Sequence, residues 1–151
     1  MAIARGAGTE IIRSAHFEDI NGTNVNPLIV GEQHHIYTVL SIVIYANAVN
    51  TTGTDYVHLS VGGYDAFGGT TNQAMYLYKW FPNAEETFVW NDKFSFNGTE
   101  PTDFAGPMDD AAKQNAIADQ ATSTAQKLQV YVSHASTTVD INLTYIDQNN
   151  A

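Results

Sequence analysis

The stretch His35-Ile36-Tyr37-Thr38-Val39-Leu40-Ser41-Ile42-Val43-Ile44-Tyr45-Ala46-Asn47-Ala48 decides the fold. It is rich in β-branched residues, which pack well on a pleated surface and lose rotamer freedom in a helix. As one strand it would reach about 46 Å at ~3.3 Å per residue. Its even positions (Ile36, Leu40, Ile42, Ile44) are apolar, and its odd positions (Tyr37, Val39, Val43, Tyr45) are nearly so. A strand apolar on both faces asks for burial on both. One face then meets the domain core and the other a subunit, which makes Tyr37, Val39, Val43 and Tyr45 assembly-interface candidates.

Outward from this run, the chain keeps the same character. Eleven Val and eleven Ile stand against six Leu. Strand-like segments follow one another at Thr9 to Phe17, Pro27 to Val30, Tyr56 to Val61 and Ala74 to Phe81. In the third, Val57, Leu59 and Val61 alternate with Tyr56, His58 and Ser60. Glu86 to Trp90 and Lys93 to Phe96 read as a pair about Asn91-Asp92. Lys127 to His134 and Thr137 to Ile146 read as a terminal hairpin about Ala135-Ser136. The only helical pattern, near 109–121, is Ala-rich and opens on Asp109 and Asp110 after Pro107, where acids suit a helix start. No repeat or linker divides the chain. The expectation is an all-β, two-sheet antiparallel sandwich of the jelly-roll kind, with one short helical insertion. A flexible arm at 1–8 precedes a single domain at 9–151, and an immunoglobulin-like sandwich is the alternative.

The chain has 151 residues, enough for one well-buried core. It has no cysteine, which rules out disulfides and thiolate catalysis. The Met1 to Gly8 segment lacks the apolar core of a signal peptide, so synthesis and use without export are expected. The longest apolar run is shorter than the ~20 residues of a membrane helix. Four Asn-x-Ser/Thr sequons, at Asn21, Asn50, Asn97 and Asn142, are read as products of an Asn- and Thr-rich composition.

Six Lys and Arg against sixteen Asp and Glu give a net charge of −10, which repels nucleic-acid phosphates. No Lys or Arg falls between Arg13 and Lys79. Sheet edges are normally guarded by Lys, Pro or inward charges, and few are present, so edges and faces covered by other subunits are expected. The glycine-rich run Gly62-Gly63-Tyr64-Asp65-Ala66-Phe67-Gly68-Gly69 reads as a contact loop. Tyr64 and Phe67 therefore join the interface candidates, as does Arg5 on the arm.

Motifs of nucleophilic, phosphate-binding or zinc chemistry are missing from the sequence. Glu32 and His34 could share a strand face as the start of a metal site or a pH-sensitive contact. His34 and His35, being adjacent, point to opposite faces and cannot easily chelate together. Asp109 and Asp110 read as helix caps. No catalytic residue, metal or cofactor is expected. Tyr76, Tyr78 and Trp80 alternate with Met75, Leu77 and Lys79, and so are expected to share one face, either as core or as a stacking platform for sugar rings. Phe88, Trp90, Phe94, Phe96 and Phe104 form a second aromatic group, read as core or interface.

Two stretches, Ala4-Arg5-Gly6-Ala7-Gly8-Thr9-Glu10-Ile11-Ile12-Arg13 and Val89-Trp90-Asn91-Asp92-Lys93-Phe94-Ser95-Phe96-Asn97-Gly98, resemble small virion structural proteins of marine tailed phages, cyanophages among them. The resemblance implies a capsid decoration (cement) or tail-associated protein. It would be made in the host cytoplasm and carried on the particle surface as a homo-oligomer, with a trimer favoured. The partners implied are further copies of the chain and major capsid or tail proteins, with no nucleic acid and no membrane. The alternative is a carbohydrate-binding module or tail-associated adhesin using Tyr76, Tyr78 and Trp80.

Overall fold

The computed structural model describes residues 6, 8–22, 24–102, 106–119 and 123–150. The interface candidate Arg5, most of the arm and Phe104 lie outside the described residues. The elements run β1 (Thr9–Ile20), β2 (Asn26–Val30), β3 (His35–Ala48), β4 (Val57–Asp65), β5 (Thr70–Trp80), β6 (Thr87–Trp90), β7 (Phe94–Asn97), β8 (Thr99–Pro101), α1 (Ala111–Asp119), β9 (Ser123–Ala125), β10 (Lys127–Val132) and β11 (Thr138–Asn149). One antiparallel sheet has the order β1-β11-β3-β6, with β7 also on β3, and the other has the order β2-β10-β4-β5. Ile42, Ile44, Ile141 and Leu143 from the first and Val57, Leu59, Leu128 and Val130 from the second belong to one buried cluster. The fold is therefore an all-β, two-sheet antiparallel sandwich, as the alternation in the sequence requires.

The two-sided apolar run in β3 has a cause other than burial on both faces. Thr144 of β11 faces Ser41 and Tyr145 faces Val39, leaving Leu40 as an extra residue. This β-bulge shifts the alternation by one position. Before it Tyr37 and Val39 point inward, and after it Ile42, Ile44 and Ala46 do. Tyr37 and Val39 are 3% and 0% exposed, so both are committed to this chain's own core and are not interface residues.

Two expected hairpins are not hairpins. β6 and β7 both pair with β3, β6 over Ile42–Tyr45 and β7 over Ile36–Val39. They are one edge strand interrupted at 91–93, where the Trp90 indole donates to the Asp92 carbonyl (2.9 Å). β10 and β11 belong to different sheets, so their connection crosses the sandwich. A buried hydrogen-bond knot holds that crossing. The Asp55 carboxylate accepts from the Thr51 amide (2.8 Å) and the Thr137 hydroxyl (2.9 Å), and Thr137 Oγ1 accepts from the Asn50 amide (3.0 Å). These bonds, the one from Thr51 foremost, hold the Asp55 carboxyl below its ordinary pKa.

Part of the glycine run is strand. Gly62 and Gly63 lie in β4, paired with β10 or β5, and a Cβ on either would press against Gln129 or Gln126, at 2.6 and 2.9 Å. Only Ala66–Gly69 turn. At one corner of the sandwich three backbone segments meet: the Gly31 amide donates to Gln126 O, the Gln126 amide to Gly98 O and the Gly98 amide to His35 O. A Cβ on Gly31 would overlap the Gly98 carbonyl, and one on Gly98 the Glu32 carbonyl. The short ribbon β8–β9 follows this corner and carries the excursion to α1. Asp110 caps that helix, its Oδ1 accepting the Lys113 amide (2.8 Å), while Asp109 pairs with the Lys113 ammonium (2.9 Å). No helix among the described residues is long and apolar enough to cross a membrane.

Candidate functional site

The aromatic stripe expected on β5 is split by a second bulge. Leu59 of β4 faces Tyr78 and Ser60 faces Tyr76, so Leu77 is the extra residue and the phase of β5 changes there. Trp80 and Tyr78 turn toward the other sheet: Trp80 is 7% exposed, and Tyr78, still 40% exposed, stacks on Phe88 of that sheet (4.5 Å, 6°). Tyr76 alone remains on the outer face. The three residues are therefore not one platform.

Tyr76 meets other aromatics instead, brought together by strand pairing. Its ring lies 4.6 Å from His58, and His58 lies 4.7 Å from Tyr56 and 6.3 Å from Tyr131. The order arises because Tyr131 of β10 pairs with His58 of β4, and Tyr76 of β5 pairs with the neighbouring Ser60. The rings are tilted by 38–46° to one another and line a groove of about 310 Å³ with Ser60, Gln129, Ala74 and Val25. The Lys79 ammonium lies 4.1 Å from the Tyr56 centroid, a cation–π contact. Burial, with Lys79 adding repulsion, lowers the His58 pKa, so the imidazole is neutral at pH 7 and offers one donor and one acceptor.

A second groove, of about 330 Å³, continues past Gln129 along β10 to Lys127 and Thr124, with Val25 common to both. The outer face of this sheet thus carries an aromatic end and a polar end joined at Gln129. The sequence offered half the signal: Tyr56, His58 and Ser60 fall in the phase opposite to the core residues. Tyr131 and Gln129 occupy the same phase in β10, but only the register shows that they meet the others.

The opposite outer face, on the first sheet, is built differently. Ile12 pairs with Ile146, Ile146 with Thr38, and Val43 with Val89. Ile12 is 71% exposed, Val89 52% and Tyr45 37%. Of the candidates, Val43 and Tyr45 lie on this face, Tyr64 is half-buried in β4, and Phe67 is 84% exposed at the β4–β5 turn.

Ionic groups gather at one end of the sandwich. Buried Asp147 accepts from His35 Nδ1 (2.7 Å) and pairs with Arg13 (3.3 Å), while His35 Nε2 lies 3.4 Å from Glu32. Glu32 thus faces the imidazole of His35. Nearby, burial pushes the Tyr37 hydroxyl to a pKa of about 12. This network ties β1, β3 and β11 together. Among the described residues no three acid or imidazole groups are placed to hold a metal ion. The chain matches no family model, no curated protein and no solved structure.

Proposed function

We propose that this chain is a virion structural protein, a decoration or cement protein of a tailed phage that self-associates as a trimer on the particle surface. The observation that carries the reading is the outer face of the first sheet. Ile12, Ile146, Leu40, Val43 and Val89 stand in its middle among the neutral hydroxyls of Ser14, Thr144, Ser41 and Thr38, and Glu10, Glu18 and Asp140 are the acids that share this outward phase on β1 and β11, near the ends of their strands. On a chain of net charge −10, a sheet face with a neutral, partly apolar middle is where copies can approach without repulsion.

The topology supports the same reading. With the small ribbon set aside and β6 and β7 counted as one, the pairs are β1 with β11, β2 with β10, β3 with β6/β7, and β4 with β5. Nested in this way, they favour the jelly-roll reading of the sandwich, an architecture common in capsid and lectin domains. Val43 and Tyr45 are the subunit contacts in this reading.

Light scattering on the purified chain tests it. The expected mass is three times the 16.5 kDa chain, falling to a single chain in Val43→Asp and Val89→Asp. A monomer at micromolar concentration, together with absence from purified particles by mass spectrometry, overturns the reading.

A further inference from the structure

We infer that the aromatic groove on the outer face of the second sheet is a binding site for a neutral oligosaccharide. This does not depend on the assembly reading, since the groove lies on the opposite side of the sandwich. Three properties point to that ligand. The first is the ring set: Tyr56, His58, Tyr76 and Tyr131 are contiguous at 4.6–6.3 Å, and Tyr76 is 64% exposed. Aromatic rings left half open at the surface offer large, rigid area at small entropic cost, with polar tips for directional bonds.

The second property is the polar complement. Ser60, Gln129, the neutral His58 imidazole and the tyrosine hydroxyls supply donors and acceptors without a charged pair, as a polyol requires. The Gln129 amide is held across Gly62, where a Cβ would stand 2.6 Å from Nε2, so the glycine makes the room in which this amide lies. The third is shape and charge. Each half of the groove, at about 310 and 330 Å³, sits at the lower end of the roughly 300–1,000 Å³ of ligand sites, and the two run in line along β10. An extended, jointed ligand of several small rings fits this better than one compact molecule. A net charge of −10 disfavours phosphorylated or carboxylated ligands, Lys79 is already engaged with Tyr56, and Lys127 is the single cation among the described residues lining the polar end.

The test is an NMR titration of the ¹⁵N-labelled full chain with chitohexaose, cellohexaose, maltohexaose and mannohexaose, with an oligogalacturonate as the acidic arm. At least one neutral hexasaccharide is expected to shift the amides of Tyr56, His58, Tyr76, Gln129 and Tyr131 in saturable fashion. Tyr76→Ala and Gln129→Ala should each weaken it about tenfold, whereas Thr52→Ala in the β3–β4 turn leaves it unchanged. Unaltered melting temperatures would show that the variants fold, and Tyr131→Phe, which keeps the ring, tests the hydroxyl separately. The inference is overturned if no neutral sugar perturbs the groove, if only the acidic arm binds, or if binding survives both alanine variants. It is equally overturned if these amides broaden with protein concentration alone, since the groove is then a contact between copies.

Discussion

At the scale of single residues, the most exacting positions are glycines whose missing side chain lets backbones touch. Gly98 is one: its amide donates to His35, its carbonyl accepts from Gln126, and the space a Cβ would need is filled by Glu32 backbone. Backbone cannot move aside as a flexible side chain can. Gly98→Ala should therefore destabilise the fold by about 3 kcal/mol or more, comparable with severe overpacking. Urea denaturation of a chain that still folds, or loss of soluble expression, would measure it. Gly62→Ala is the instructive contrast, because the clash there is with the end of the Gln129 side chain. Neither requirement is legible in the sequence, where Gly62 and Gly98 look like loop residues. A glycine needed for close approach is identified only once the approaching strand is known.

At the scale of elements, two bulges govern what faces where. Leu40 in β3 and Leu77 in β5 each add one residue and invert the alternation beyond them. Strand boundaries were largely legible: β3 runs from His35 to Ala48 as read, and β11 and β4 lie close to where alternation placed them. Facing was not, because a bulge makes one buried face look like two. Deleting Leu40 should remove the bulge and leave Tyr37, Val39, Ile42, Ile44 and Ala46 in one unbroken alternation on the core face, because Val39 and Ser41 then follow each other opposite Tyr145 and Thr144. The expected result is a cooperative thermal transition in circular dichroism, retained from the parent chain. Leu40→Ala, which keeps the residue count, should retain that transition with a lowered midpoint. If the deletion abolishes that transition, Leu40 is not the residue that the bulge adds. The same logic explains why the aromatic platform expected from Tyr76, Tyr78 and Trp80 dissolved while a different one formed. Leu77 sends Tyr78 and Trp80 toward the other sheet, and pairing across β10, β4 and β5 supplies Tyr131, Tyr56 and His58 in their place.

At the scale of the whole molecule, charge and surface chemistry act together. Sixteen acids against six bases must repel at long range, yet the face proposed for assembly has a neutral, partly apolar middle. Self-association should accordingly strengthen with salt, since screening at 0.15 M confines repulsion to about 8 Å while apolar contact is unaffected or favoured. Sedimentation at 20 mM and 500 mM NaCl measures this, and association that weakens in high salt would point to ion-paired contacts instead. The sequence by itself determined the all-β class, the long central strand, the capped helix and the acidic character. Each follows from local pattern or composition, which act without knowledge of distant partners. Only the tertiary structure decided which apolar residues are core, that β10 and β11 lie in different sheets, and which aromatics share a face. Those outcomes depend on register between strands far apart in the chain, and a single unpaired residue, Leu40 or Leu77, is enough to reverse them.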